Sequence, residues 1–441
     1  MIDMTKGRPL PLIWRFAVPI ILSNIFMMLY TMADSMIVGQ WLGPEAFAAI
    51  GAAGYLHGFP QHMLGGMSHG FGVWLAQRCG AKDESGFRRA MSGTLMLEMG
   101  SALVMIAFFL IFLQPLLHLM QTPQEMMEPS VAYLRVMMGG LVFSALYSSC
   151  SAALLAIGDS KTIFVSGLAA NLLNVALDFV LIGQMGFGVV CAAMTTVIAQ
   201  AVSVLICFAG MVRAKWVLPK GRDWLPNRRD MKQLIRLGAP QLTGKGVNSI
   251  GEIVVQSVMN ACGVEFVAGM MAARKYYSLL NIIGSGLEGA AGTFAGQNTG
   301  ARSKERILLG TRVTVRLALA ITLGIAVLVG IFAKPMILLL LPDASAETLR
   351  IGMAVLRIDA VGMIALYMLC IHRAAIQGMG NALIPMLCGF MELGMRVLCA
   401  FALPLLAGPE SLFFIEAINW TVTGAVMMVS YRRISRKLQF D

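Results

Sequence analysis

About twelve long apolar segments follow one another along this chain of 441 residues. Each is long enough to supply the roughly 20 mostly apolar residues that a helix needs to cross a bilayer. Charged residues make up only 13% of the chain, about half of the usual fraction in a soluble domain. The short alternating segments of a transmembrane β-barrel do not occur. The sequence therefore predicts an all-α, multi-pass membrane protein. The predicted segments are 12–40, 46–77, 92–114, 129–156, 161–183, 187–212, 235–261, 265–297, 308–333, 349–378, 382–407 and 411–431.

Basic residues mark every second connection between these segments. Most of the 34 Lys and Arg residues lie in the two ends of the chain and in the connections after segments two, four, six and eight. The opposite connections lack Lys and Arg: 114–128, 183–187, 261–265 and 407–411. Lys334 and Arg350 are the exceptions. The pattern predicts an inner-membrane protein with both termini in the cytoplasm. It also accounts for the net charge of +11, so we expect no nucleic-acid partner.

The two halves of the chain are similar in sequence at an offset of about 220 residues. The matching pairs are Pro19 with Pro240, Gln77–Ala81 with Gln297–Ala301, and Gly158 with Gly380. With six segments in each half, both repeats begin on the same side of the membrane and are parallel. We therefore predict an N-terminal six-helix bundle (1–212), a basic cytoplasmic linker (213–234) and a C-terminal six-helix bundle (235–441).

Three polar residues share one face of the fifth segment. Asn171, Asn174 and Asp178 are spaced by three and four residues, as helical neighbours are. Two amide oxygens and a carboxylate suit a hard cation such as Na⁺, or a proton on a hydrogen-bonded acid. The alternative is polar packing between helices.

Several motifs, in this order and in duplicate, resemble one transporter family. The stretch PIILSNIFMMLYTMADSMIVGQWLG (19–43) resembles the first helix of the MATE (multidrug and toxic compound extrusion) family. QRCGA and QNTGA resemble its QxxGA element, and residues 156–182 and 186–196 resemble its fourth-to-sixth-helix signature. The resemblance covers essentially the whole chain. It implies a V-shaped pair of bundles that exports organic compounds in exchange for inward H⁺ or Na⁺.

The resemblance also implies which residues couple transport to the ion. The family's N-xxx-D pair maps onto Asn174 and Asp178, and its sixth-helix Thr maps onto Thr196. Together with Asp34 these residues would form a site for H⁺ or Na⁺ in the first half, supported by Asn171. An ionisable group within a spanning segment is costly and usually functional. The alternative for Asp34 is an idle, solvated acid near the end of its helix.

The second half lacks this set of residues. By the repeat offset, Asp178 corresponds to Ala400 and Asn174 to Arg396, so we expect coupling in the first half only. Glu392 and Arg396 are one turn apart, which predicts a structural ion pair.

A separate polar stripe, together with residues elsewhere, suggests a substrate cavity. In segment seven, Glu252 could attract cationic substrates, or it could instead be neutralised by Lys245. The residues predicted to line the cavity are Tyr30, Asn248, Glu252, Gln256, Lys275 and Tyr276.

These observations together predict a secondary active exporter that works by alternating access. The chain has no nucleotide-binding G-x-x-x-x-G-K-[ST] loop, so we expect no cofactor besides the coupling ion and no enzymatic activity. The expected partners are a small organic, cationic substrate and the lipid bilayer, and the expected state is a monomer. One alternative is a flippase of a lipid-linked precursor, which would need a cationic cavity. Another is a membrane sensor or scaffold, against which the lack of a sizeable soluble domain argues.

Overall fold

The computed structural model describes residues 2–119, 124–260 and 262–439, and within these ranges it is helical and contains no strand. The α-helices are α1 Pro9–Trp41, α2 Gly43–Gly80, α3 Glu84–Leu119, α4 Gln124–Ala156, α5 Ser160–Asp178, α6 Val189–Arg213, α7 Arg228–Asn260, α8 Val264–Gly300, α9 Lys304–Leu340, α10 Ala346–Gly378, α11 Leu383–Ala407 and α12 Ile415–Lys437. A π-helical turn spans Phe179–Gln184, and 3₁₀ turns span Gly221–Trp224 and Pro409–Phe414. The all-α prediction is confirmed.

In the described ranges, nine helices are both long and apolar enough to cross a membrane. The other three, α2, α7 and α8, have 38, 33 and 37 residues. At 1.5 Å per residue they are longer than the hydrocarbon core is thick. They fall short in apolarity rather than in length, since α7, for example, carries Glu252 and Gln256. The membrane class predicted from the sequence is confirmed.

The chain packs as two compact units that differ from the sequence repeats. Unit 1 consists of Met1–Asp3 and Val18–Leu242, and unit 2 of Met4–Ala17 and Thr243–Asp441. Helices α1 and α7 therefore each contribute to both units. In both helices the change of unit falls within three residues of a proline, Pro19 or Pro240. Proline removes a helical hydrogen bond and favours a kink, so it is a natural place for a helix to pass from one unit to another.

At one end of unit 1, a buried acid fixes the beginning of α7 to α2. The Asp230 side chain is fully buried and accepts hydrogen bonds from Arg78 Nη2 at 3.0 Å and Trp74 Nε1 at 3.1 Å. Arg78 Nη1 also donates to Asp83 at 2.6 Å, in the turn between α2 and α3. Partial burial alone would raise the pKa of Asp83, but hydrogen bonds from the Gly86 amide and Arg78 hold that pKa below its ordinary value.

The motif Gln297–Ala301 of unit 2, which repeats Gln77–Ala81, binds the N-terminal segment around Met4. The Met4 amide donates to Gln297 Oε1 at 2.9 Å, and the Met4 carbonyl accepts from Asn298 Nδ2 at 3.1 Å and Arg306 Nη2 at 2.9 Å. Met4 is completely buried. The motif beginning at Gln77 thus holds the residues that start α7, and the motif beginning at Gln297 holds those that precede α1. The two sequence repeats use the same element for the same task.

Gly70 allows α2 and α7 to pack closely in unit 1. A Cβ atom on Gly70 would overlap the backbone of α7, at the Leu237 carbonyl and 2.6 Å from the Gly238 Cα. Gly65, in the same helix, faces open space, with no atom within 4 Å of its hypothetical Cβ.

Replacing Gly70 by alanine is expected to destabilise unit 1 because a backbone cannot move aside as a flexible side chain can. Overpacking of this kind costs about 1–3 kcal/mol. The matched variant Gly65→Ala is expected to be neutral or stabilising by up to about 1 kcal/mol, since alanine favours helices. Thermal unfolding of the two purified variants in detergent measures the difference. Equal melting temperatures would contradict the close packing.

Candidate functional site

Two of the predicted residues form the buried centre of a polar cluster in unit 1. Asn174 and Asp178 lie one turn apart on α5, with 1% and 0% of their surface exposed. In the amide orientation that satisfies its neighbours, Asn174 Nδ2 donates to Asp178 Oδ2 at 3.1 Å. The helical spacing seen in the sequence therefore corresponds to a direct contact.

Helix α6 supplies hydroxyl and amide groups to the same cluster. Thr195 Oγ1 donates to Asp178 Oδ1 at 2.5 Å, and the Thr196 amide donates to the Asn174 side-chain oxygen at 3.1 Å. The Thr196 hydroxyl lies 3.0 Å from the Ala192 carbonyl of its own helix. Thr196 thus contacts the cluster through its backbone amide and through a side-chain hydrogen bond with Tyr30. Thr195, which we did not predict, contacts the carboxylate. The Thr-Thr pair was the only sequence signal for it.

Helix α1 completes the cluster with a phenol and a second carboxyl group. Asn174 Nδ2 lies 2.7 Å from Tyr30 Oη, so Tyr30, predicted to line the substrate cavity, contacts the polar cluster. Half-buried Asp34 forms a side-chain hydrogen bond with Asp178. A carboxylate only accepts hydrogen bonds, so two carboxyl groups can bond to each other only when one of them carries a proton. The geometry therefore suits a shared proton.

An irregular turn follows the cluster immediately. Asp178 is the last residue of α5, and the π-helical turn Phe179–Gln184 begins directly after it. Trp41, at the end of α1, packs edge-on against Phe179 with ring centroids 5.8 Å apart. Short π-helical turns occur frequently at functional sites. The turn ties the carboxylate end of α5 to α1.

Asn171, predicted to support the site, lies on the same helix as Asn174 and Asp178 but is less buried than they are. Asn171 is half-buried on α5, and the structure gives it no hydrogen bond to the cluster among the described residues. Its role as part of a supporting stripe stays a prediction.

In unit 2, the described residues that were predicted to line a substrate cavity are either exposed or hydrogen-bonded to other parts of the unit. Glu252 and Lys275 are exposed. Gln256 Oε1 accepts a hydrogen bond from Arg274 at 3.4 Å, and Tyr276 Oη donates to the Met336 carbonyl at 2.5 Å. The side chains of Asn248 and Lys245 lie outside the described residues.

Glu392 and Arg396 both have ion-pair partners on neighbouring helices. Glu392 lies 3.4 Å from Arg373 on α10, which also pairs with Glu288 on α8 at 3.2 Å. Arg396 pairs with Glu416 on α12 at 3.1 Å. A direct pair between Glu392 and Arg396 within α11 stays a prediction. The partners on neighbouring helices could not be predicted, because the spacing of residues along one helix does not reveal them.

Comparison with known proteins places the chain in a family. The sequence model of the MatE family matches residues 19–180 and 246–402, well over half of the chain. The chain belongs to the MATE family. Members of this family are membrane transporters, so this MATE protein is a transporter and not an enzyme.

Relatives with similar sequences cover nearly the whole chain. A Bacillus subtilis (strain 168) protein named "Probable multidrug resistance protein YoeA" is 28% identical over 413 residues, 91% of this chain and 89% of the relative. A Thermotoga maritima protein named "Probable multidrug resistance protein NorM" is 25% identical over 388 residues, 86% of this chain and 82% of the relative. The MATE assignment therefore holds along almost the full length.

Solved structures show the same fold. An outward-facing multidrug resistance MATE transporter of the MOP superfamily superposes with a TM-score of 0.91 at 22% identity, covering 100% of this chain and 99% of the other. A MOP-superfamily transporter from Pyrococcus furiosus, described as having a binding pocket of reverse polarity, gives a TM-score of 0.89 at 23% identity, covering 100% and 99% of the two chains. The predicted all-α fold of the MATE family is confirmed.

Proposed function

We propose that this MATE protein is a secondary active exporter of organic, mainly cationic compounds, driven by inward movement of H⁺ or Na⁺. The observation that supports this most directly is the hydrogen bond between Asp34 and Asp178 beside buried Asn174. The exporter would work as a monomer in the inner membrane, with both termini in the cytoplasm. It would need no cofactor besides the coupling ion.

The carboxyl pair provides a physical basis for coupling. With one proton, Asp34 and Asp178 attract each other; without it, two carboxylates repel at close range. Loss of the proton therefore changes the preferred packing of α1 against α5 and α6, with Pro19 as the candidate kink. A ligand shifts a conformational equilibrium only if it binds the two states with different affinity. A proton that stabilises one packing satisfies this condition and would drive alternating access of the two bundles.

Na⁺ could take the place of the proton at the same residues. Carboxylate and amide oxygens are ligands suited to a hard cation, and Asp34, Asp178 and Asn174 supply them. Thr196, predicted as a fourth member, and Thr195 are the neighbouring α6 residues. The direct bond between the two carboxyl groups favours the proton over Na⁺.

The substrate class rests on the relatives and on one exposed acid. The relatives from B. subtilis and T. maritima are named as multidrug resistance proteins, which indicates organic compounds. Glu252, an exposed carboxylate on a long polar helix, would favour compounds that carry positive charge.

Transport in proteoliposomes tests the proposed function. Purified protein is reconstituted, a pH gradient or a Na⁺ gradient is imposed separately, and ethidium movement is followed by fluorescence. We expect one gradient to drive ethidium against its concentration, and the matching ionophore to abolish the effect. Ethidium movement that is independent of both gradients, with folded protein, would overturn the proposal, and flipping of a lipid-linked precursor would then be measured.

A further inference from the structure

Unit 2 contains a polar site at the position that repeats the coupling cluster. The repeat offset is 221 residues between Pro19 and Pro240 and 222 between Gly158 and Gly380. At these offsets, Gly251 on α7 corresponds to Tyr30, and Arg396 on α11 corresponds to Asn174. Glu416 on α12 lies at, or one residue before, the counterpart of Thr195. The three helices that build the cluster in unit 1 thus have counterparts that meet in unit 2.

The structure shows that these counterparts are in contact. Arg396 Nε donates to Glu416 Oε1 at 3.1 Å, and Nη2 donates to Oε2 at 3.1 Å, so the pair is bidentate. Arg396 is only 5% exposed. A Cβ atom on Gly251 would lie 3.3 Å from Arg396 Cδ and 3.6 Å from Nη1. The absence of a side chain on Gly251 therefore makes room for the arginine.

The chemistry of the two sites is complementary. In unit 1, an amide stands beside carboxyl groups that can gain or lose a small cation. In unit 2, the residue at the amide position carries a guanidinium, which is always charged and binds carboxylates in a bidentate manner. This cation is covalently attached and cannot be exchanged. Glu416, whose side chain is 18% exposed, is thereby neutralised within the protein, which lowers the cost of its partial burial.

We propose that Arg396 is a built-in cation that permanently fills the repeat-related copy of the coupling site in unit 2, and that Glu416 is the cation-binding carboxylate of this latent site. The inference rests on the proposed function only in that it takes the unit 1 cluster as a cation site. It explains why exchange of the coupling ion would be confined to one unit. It also means that removing the guanidinium creates a second site for a proton or Na⁺.

The test counts cations bound to purified full-length protein in detergent. In Arg396→Asn, we expect one additional cation per chain compared with the wild type. A proton appears as a new infrared carbonyl band of a carboxylic acid, and sodium is counted by equilibrium binding of ²²Na⁺. Arg396→Lys keeps an attached cation and is expected to bind no additional cation compared with the wild type. The double variant Arg396→Asn with Glu416→Gln is expected to lose the additional cation, which assigns it to Glu416.

A second guanidinium must be controlled for. Arg274 Nη2 lies 3.9 Å from Glu416 and could move closer once Arg396 is removed. Arg274→Gln is therefore combined with Arg396→Asn, and Arg396→Gln serves if the asparagine variant does not fold. Folded protein with no additional cation in either background, or an additional cation that survives Glu416→Gln, would overturn the proposal. Because the readout is binding, this result is independent of whether ethidium transport is driven by a gradient.

Discussion

Asp178→Asn is expected to reduce the rate of gradient-driven ethidium transport by at least about tenfold, which corresponds to an increase of about 1.4 kcal/mol in the activation free energy. The Asp178 side chain is fully buried and is bonded to Asp34, Asn174 and Thr195. An amide of the same size preserves the packing but cannot share or release a proton. The initial rate of transport in proteoliposomes under the imposed gradient measures the effect.

Asp343→Asn is the matched control for this variant. The substitution also replaces a carboxylate by an amide of the same size, but Asp343 is exposed, in the connection between α9 and α10. We expect this variant to transport at the wild-type rate. If Asp178→Asn also kept wild-type rates and the same dependence on the gradient, the cluster in unit 1 would not be the coupling site.

Arg373→Met is expected to destabilise unit 2 by about 3–5 kcal/mol, the usual cost of removing one partner from a buried ion pair. Arg373 lies between Glu288, at 3.2 Å, and Glu392, at 3.4 Å, and the Glu392 side chain is only 8% exposed. Without the guanidinium, buried Glu392 and partly buried Glu288, 26% exposed, both lose the cation that they share. Thermal unfolding in detergent, followed by circular dichroism, measures the loss.

The exposed triad around Arg350 provides the control. Arg350 pairs with Glu347 at 2.7 Å and Glu410 at 2.6 Å, but these side chains are 47–59% exposed. Since solvent screens such pairs, Arg350→Met is expected to change the melting temperature only slightly. Neutralising both acids, by combining Arg373→Met with Glu288→Gln and Glu392→Gln, is expected to restore most of the lost stability. An equal effect of the two arginine variants would show that burial does not determine the cost.

Much of the fold follows from the sequence because bilayer thickness fixes the length of each spanning helix. The predicted segment 12–40 corresponds to α1, Pro9–Trp41, and segment 187–212 corresponds to α6, Val189–Arg213. The contact between Asn174 and Asp178 could be predicted as well, since it depends only on the period of a single helix.

The remaining features depend on how helices rotate and pack against one another. The rotation of α6 about its axis decides which of Thr195 and Thr196 donates its hydroxyl to the Asp178 carboxylate. The order of residues along the chain does not reveal this rotation. The partner of Arg396 lies 20 residues away on another helix. The contribution of residues 4–17 to unit 2 is a long-range packing result, which hydropathy and charge do not encode.

The hydrogen bond between the Met4 amide and Gln297 joins residues 293 positions apart, and this separation has a consequence for biosynthesis. Translation proceeds at about 5–20 residues per second, so the N-terminal segment leaves the ribosome roughly 15–60 s before its partner. During this interval the segment must remain accessible while the helices of unit 1 are inserted. Arg306, which also binds the Met4 carbonyl, is made later still. Met4 therefore reaches its final place only after the chain as far as Arg306 has been synthesised.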